Sequence, residues 1–356
     1  MPTPTIPDGE LFFNATTYTG NGSAGRVITV PSINNVGFAW VKLRSGSDDH
    51  RLANTVTGGN RHLQSNTTAA ESTGTNVIQA FSGNTFTVGS DNSVNVNGST
   101  YVAWTWANGG AATTIAVGSV SPGVPSIASS VSANTTSGFS VVTYTGNGSA
   151  GVRIGHGLGV APRMMIVKQR GSTTDWAVYH ASLPSAFGIA GTQVINLNTT
   201  SANTQNFDVW DSNNPEATVF SVGASTLSNA NGGTYVAYCW SQIAGYSAFG
   251  SYTGNGSTDG PFVYLGFRPR LVLVKESSSA GNNWVIYDTA RDTFNECSKI
   301  LYPNASNAEF DGSTVNLDIL SNGFKPRDNW GGNNNSGSTY IYAAFAENPF
   351  KYANAR

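Results

Sequence analysis

The chain has 356 residues, of which only 11% are charged, and a formal net charge of −2. That balance excludes the clustered Lys and Arg with which a nucleic-acid-binding protein displaces counterions from phosphates. Hydrophobic residues make up 39% and aromatics 11%, enough to build cores rather than leave the chain disordered. The polar remainder is rich in Gly, Asn, Ser and Thr, turn and strand-face residues that point to an all-β protein.

The opening segment "MPTPTIPDGELFF" lacks a basic region followed by a long apolar run, so no secretory signal is expected. No apolar run is long enough to span a membrane, and no membrane insertion is expected. At Tyr18–Ser23 the chain reads "YTGNGS", a hairpin signal because Gly and Asn tolerate positive φ. A strand ending at Lys42 follows in "GFAWVKLRSGSDDH", then "LQSNTTAAE" and a closing strand in "STYVAWTW". Residues 108–137 are rich in Ser and Gly, carry no charge and read as an extended, protease-sensitive linker.

The hexapeptide returns at Tyr144–Ser149 and Tyr252–Ser257, each time with the same sequel. Lys168 and Lys275 end apolar strands entered through Pro162 and Pro269, and Trp176 and Trp284 follow at matching distances. Asn66, Asn198 and Asn304 align, as do the closing runs with Val102, Val236 and Ile341 and with Trp106, Trp240 and Phe345. Alternation puts these apolar positions on one face of a half-buried strand. The reading is three tandem β-sandwiches of jelly-roll or immunoglobulin size: residues 1–107, a linker at 108–137, then 138–245 and 246–356. Because only "SQIAGYSAFGSY" separates the last two, those two are expected to pack as a rigid pair.

Chemistry-bearing groups are sparse. "GHGLG" at Gly155–Gly159 lacks the Lys-Ser/Thr of a phosphate loop and precedes a strand, so it reads as a turn. Asp48, Asp49 and His50 are unmatched by "TTDW" and "GNNW" in the other copies and read as a solvated loop, not a metal cluster. His156 and His180 have no matched partner, and no context singles out a pair of carboxylates for glycoside cleavage. No catalytic residue, metal or cofactor is assigned. Cys239 reads as a small buried hydrophobe. Trp176, Trp284, Trp104, Trp106 and Trp240 read as core. Trp210 in "FDVWDSNNPEA" and Trp330 in "KPRDNWGGNNNSG" border polar loops, where a ring stacks on a sugar face or tucks under its own loop. Asp328, Asn329, Trp330 and Trp210 are therefore the candidate glycan contacts.

"HGLGVAPRMMIVKQR", "SYTGNGSTDGPFVYLGFRPRLVLVK", "LSNGFK" and "GSTYIYAAFAENPFK" together resemble a repeated β-domain of bacteriophage virion structural and tail-fibre-like proteins, found in marine and cyanobacterial phages. The resemblance covers nearly the whole chain except 108–137. The first copy departs most, lacking the Pro before its "WVK" strand. It implies a non-enzymatic protein exposed on the virion, as a tail fibre or spike component or a capsid decoration or head fibre, assembled in the host cytoplasm. The implied partners are other virion proteins, further copies of the chain (a trimer among the options) and a host-surface glycan. A carbohydrate-binding adhesin and a polysaccharide-degrading enzyme are the alternatives.

Overall fold

In a computed structural model of the chain, which describes Ile6 and residues 8–347, the three closing runs become the inner strands of three sheets, at Thr100–Ala107, Thr234–Trp240 and Thr339–Ala346. Each pairs antiparallel with an opening strand that leads into the hexapeptide: Phe13–Thr19, Phe139–Thr145 and Ser247–Thr253. On its other side lies the lysine strand: Val36–Leu43, Met164–Gln169 or Pro269–Glu276. The lysine strand then pairs with Arg51–Asn54, Ala177–His180 or Val285–Asp288. The register recurs as well, with Tyr18 opposite Tyr101, Tyr144 opposite Tyr235 and Tyr252 opposite Tyr340. We call these stretches the first, second and third units.

A second layer covers each sheet. In the first unit it is Arg26–Thr29, Thr85–Val88 and Ile78–Ser82; in the second, Val152–Gly155 with Val219–Val222. In the third it is Val263–Tyr264, Gly323–Pro326 and Leu317–Leu320. Ile28, Phe86, Val41 and Ala103 fill the space between the layers of the first unit, and Ile154, Phe220, Val167 and Ala237 that of the second. The protein is thus all-β and sandwich-like.

The closing strands are not half-buried as the alternation suggests. Tyr101 and Ala103 face their own second layer, while Val102, Trp104 and Trp106 face the neighbouring units, and all five are nearly inaccessible. Trp106 meets Trp240 and Phe345 at ring-centroid distances of 5.8 and 5.4 Å. One apolar core is therefore shared by all three units, so the third packs against the first as well as the second. Rings that each bury on the order of 200 Å² make this centre the largest apolar contribution to the fold.

The hexapeptide does not form a hairpin. It carries the chain from the inner sheet to the second layer, and a buried asparagine clamps it. Asn95 Oδ1 accepts from the Asn21 amide at 2.9 Å, while its Nδ2 donates to Ser23 O and Gly89 O, both at 2.8 Å. Asn229 and Asn334 repeat these contacts on Asn147 and Ser149, and on Asn255 and Ser257. The tyrosine hydroxyl of each opener donates to the carbonyl just before that asparagine: Tyr18 to Val94, Tyr144 to Ser228 and Tyr252 to Asn333. The first glycine is sterically required, because a Cβ on Gly20 would sit 1.9 Å from Val96 O; the second, Gly22, has φ +71°. Six residues recur because one clamp recurs.

Residues 108–137, expected to be an extended linker, contain two strands. Thr113–Ile115 pairs with Ser129–Asn134, which pairs with the opening strand Phe139–Thr145 and widens the second unit's inner sheet. Low charge and many Ser suit a sheet edge as well as a coil, and Val131 is the apolar residue that fixes it inward, at 3% exposure.

Candidate functional site

The four candidate glycan contacts do not form one site. Trp210 is 1% exposed and belongs to the second unit's core, its ring edge-on to Tyr179 at 6.1 Å, so it offers no face to a sugar. The loop from Asp328 to Gly337 is the third unit's clamp loop, with its polar groups turned inward. Asp328 Oδ1 accepts from the Trp330 amide at 2.9 Å, and Asn334 Nδ2 donates to Asp328 O at 2.7 Å. Burial pushes the Asp328 carboxyl up to about 6. Asn333 and Asn334 are fully buried, Asn329 is exposed, and Trp330 is partly buried against the shared core. A Cβ on Gly332 would meet the Trp330 ring at 2.2 Å, so that ring lies on its own loop.

His50, His156 and His180 are structural. His50 is not in a solvated loop: it is fully buried, its Nδ1 accepting from Trp40 Nε1 at 2.8 Å and its Nε2 meeting Tyr302 O at 2.9 Å. Burial lowers it to about 3. His156 contacts Glu216 O and the Leu158 amide, and burial lowers it to about 4. His180 accepts from the Ser182 amide and meets Tyr342 O at 3.0 Å, and is likewise lowered to about 4. Cys239 and Cys297 are buried free thiols pushed up to about 12. Among the described residues, no group of three or more His, Cys, Asp and Glu is placed to hold a metal, and no helix is long and apolar enough to cross a membrane.

What the polar residues do build is three matching seams. At the position after "SDD", "TTD" and "GNN", His50, Trp176 and Trp284 each donate their backbone N–H to the Oδ1 of an aligned asparagine, Asn66, Asn198 or Asn304. Each then turns its ring nitrogen onto a carbonyl of a neighbouring unit. Trp176 Nε1 donates to Gln64 O at 3.0 Å, Trp284 Nε1 to Asn196 O at 2.9 Å, and His50 Nε2 meets Tyr302 O. The three carbonyls each lie two residues before one of the aligned asparagines. The second unit thus grips the first, the third grips the second, and the first grips the third. The ring closes.

A second set of contacts runs round the ring the opposite way. Asn54, His180 and Asp288 occupy the same register on their strands, opposite Phe38, Met164 and Leu271. Asn54 Nδ2 donates to the Tyr238 hydroxyl at 3.3 Å, His180 meets Tyr342 O, and Asp288 Oδ2 accepts from Trp104 Nε1 at 2.9 Å. Each reaches the closing strand of the next unit. Lys168 and Lys275, fully buried, donate across seams to Thr68 O at 3.1 Å and Thr200 O at 3.4 Å, and burial lowers both to about 8. The alignment of His50 with Trp176 and Trp284 is visible in the sequence, but alignment does not show that these rings point out of their own unit.

Residues 8–349 match the family model described as a domain of unknown function (DUF7483), and the chain belongs to that family. No curated protein and no solved structure matches it.

Proposed function

We propose that this DUF7483 protein is a non-enzymatic structural component of a bacteriophage virion, exposed on the particle, in which three tandem β-sandwich repeats form a single-chain pseudo-trimer. The observation that carries the reading is the closed ring of seams. Where an enzyme would keep a polar cleft with convergent titratable groups, the buried His50, His180, Lys168, Lys275 and Asp288 side chains here join one unit to the next. A closed threefold body made by one chain suits a site of threefold or quasi-threefold symmetry, as on a capsid face or a fibre axis. The resemblance in "HGLGVAPRMMIVKQR" and "GSTYIYAAFAENPFK" to phage virion β-domains supports the same reading. The test is to locate the protein in purified particles with a labelled antibody and electron microscopy. Regular label on capsid or tail supports the reading, and particles free of the protein overturn it.

A further inference from the structure

The second and third units treat the outer edge of the opening strand differently. In the second unit that edge is covered: Ser129–Asn134 pairs with Phe139–Thr145, with Ser132 opposite Val141 and Ser130 opposite Thr143. The same segment reaches the second layer, where Ile127 bridges Ile154 in parallel fashion and Ser129 Oγ donates to Gly155 O at 2.8 Å. It thereby fills the gap between the two layers of its sandwich. In the third unit the opening strand Ser247–Thr253 is, among the described residues, the terminal strand of its sheet. Gly254 N–H donates to Ser338 O at 2.9 Å. Antiparallel alternation from that bond turns the backbone groups of Phe249, Ser251 and Thr253 away from the closing strand.

A cleft of about 290 Å³ lies beside the start of this edge, at Ser247–Phe249, next to Tyr264 of the second layer. Its lining includes Gln242, Ala248, Phe249, Tyr264, Leu265 and Tyr342, none of them charged. Tyr264 stands at its rim, 53% exposed, with the half-exposed Phe262 ring 6.5 Å from it. The matching position in the second unit is Gly155, whose missing Cβ leaves room for Ile115 of the covering hairpin, 2.6 Å from where that Cβ would be. The second unit thus fills the gap with a strand, and among the described residues no strand fills the corresponding gap of the third, which Tyr264 and outward backbone groups border.

We infer that the cleft beside Ser247–Thr253 is an acceptor for an extended peptide segment of a partner protein, entering antiparallel as a further strand. The occupant's chemistry is set by the segment that fills the sibling gap, "IASSVSAN" at Ile127–Asn134. It is uncharged, with small polar residues alternating with apolar ones that turn inward toward Tyr264, Leu265 and Tyr342. Main-chain bonds supply the affinity and the inward apolar residues the specificity. The inference goes beyond the virion reading and does not depend on it.

The probe is the capped octapeptide IASSVSAN, added to the full-length protein and followed by hydrogen exchange and fluorescence anisotropy. Binding should slow exchange at the Phe249, Ser251 and Thr253 amides. Ser251→Pro removes an outward donor from an edge position that tolerates proline, and should weaken binding by about tenfold or more. Tyr264→Asp, at an exposed position that leaves folding intact, should do the same by placing a charge at the rim. Absence of binding at millimolar peptide overturns the proposal, as does protection confined to Phe139–Thr145 through exchange with the native segment. Wild-type binding by both variants also overturns it.

Discussion

The seam between the first two units and the seam between the last two have the same backbone contact and different side chains. At the former, the Glu71 amide donates to Arg170 O at 2.7 Å, and the Arg170 guanidinium grips the Glu71 carboxylate through two bonds of 2.8 Å. At the latter, the Asn203 amide donates to Ser277 O at 3.0 Å, but Ser277 turns its hydroxyl to Thr339 O and Asn203 its amide to Gln193. The third seam follows the first pattern, with the Glu309 amide on Arg44 O and an Arg44–Glu309 fork of 2.8 Å. Backbone geometry closes the ring at all three places, and charge is added at two. An ion pair is therefore a variable attachment to a fixed joint, which fits the modest net value of such pairs even when partly desolvated.

The largest blow to this comparison should come from Asp288→Ala. Asp288 and Arg291 are both fully buried and 2.6 Å apart, and the same carboxylate accepts from Trp104 of the first unit. Removing it orphans an indole N–H and leaves the buried guanidinium only Glu309 and Ile286 O, which should cost about 3–5 kcal/mol in denaturant unfolding. Asn54→Ala, at the matching position, loses a 3.3 Å neutral bond across the seam and the acceptor of the Val56 and Thr57 amides, strands no charge, and should cost about 1–3 kcal/mol. Equal losses would show that the three seam positions are not energetically distinct.

Acid should act next, and unevenly. His50 and His180 are held neutral at about 3 and 4, below the ordinary 6.5 of the unfolded chain. The unfolded state therefore binds more protons between those values, so stability is fully present above about pH 6.5 and falls as pH drops toward 4. The loss is on the order of 3 kcal/mol for each histidine. Both residues contact the third unit, so hydrogen exchange during a titration should show that unit's seams loosening before the seam between the first and second. Simultaneous opening of all three would contradict the assignment.

Glu71→Gln keeps the backbone joint and weakens the fork; about 1–2 kcal/mol should be lost in chemical denaturation. The smallest effect is the converse graft. Ser277→Arg combined with Asn203→Glu places a fork at the seam that lacks one, and should raise stability by about 1 kcal/mol or less. The two single changes should not sum to the double. Additivity in that cycle would mean that the grafted pair never forms.

Much of the architecture was legible because it is written three times. The tyrosine, the lysine strand and the aromatic closing strand recur in the same order, and each becomes the same strand in the same register. The meaning of the hexapeptide was not legible: its glycines signal a tight turn equally well whether the chain reverses within a sheet or crosses between layers. Only the buried Asn95, distant in sequence, decides between them. Trp210 and Trp330 misled for a related reason. A ring beside Asp and Asn has the composition of a sugar site, yet in the third unit those amides are needed to hold the "TGNGS" backbone and so point inward. The seams were hidden because nothing in the spacing of His50, Trp176 or Trp284 tells whether a ring fills its own sandwich or reaches into the next. The covered edge in the second unit was missed because an uncharged Ser-rich run has the same composition in a coil as in a strand.

Because the ring is closed within one covalent chain, its integrity does not depend on protein concentration. Three separate subunits joined by the same seams would dissociate on dilution, with an apparent stability that falls with subunit concentration. Here each unit meets its neighbours at an effective concentration set by the short connections between them, in the millimolar range for flexible links of such length. The protein should keep that joint on dilution, with the same unfolding midpoint at nanomolar and micromolar concentration.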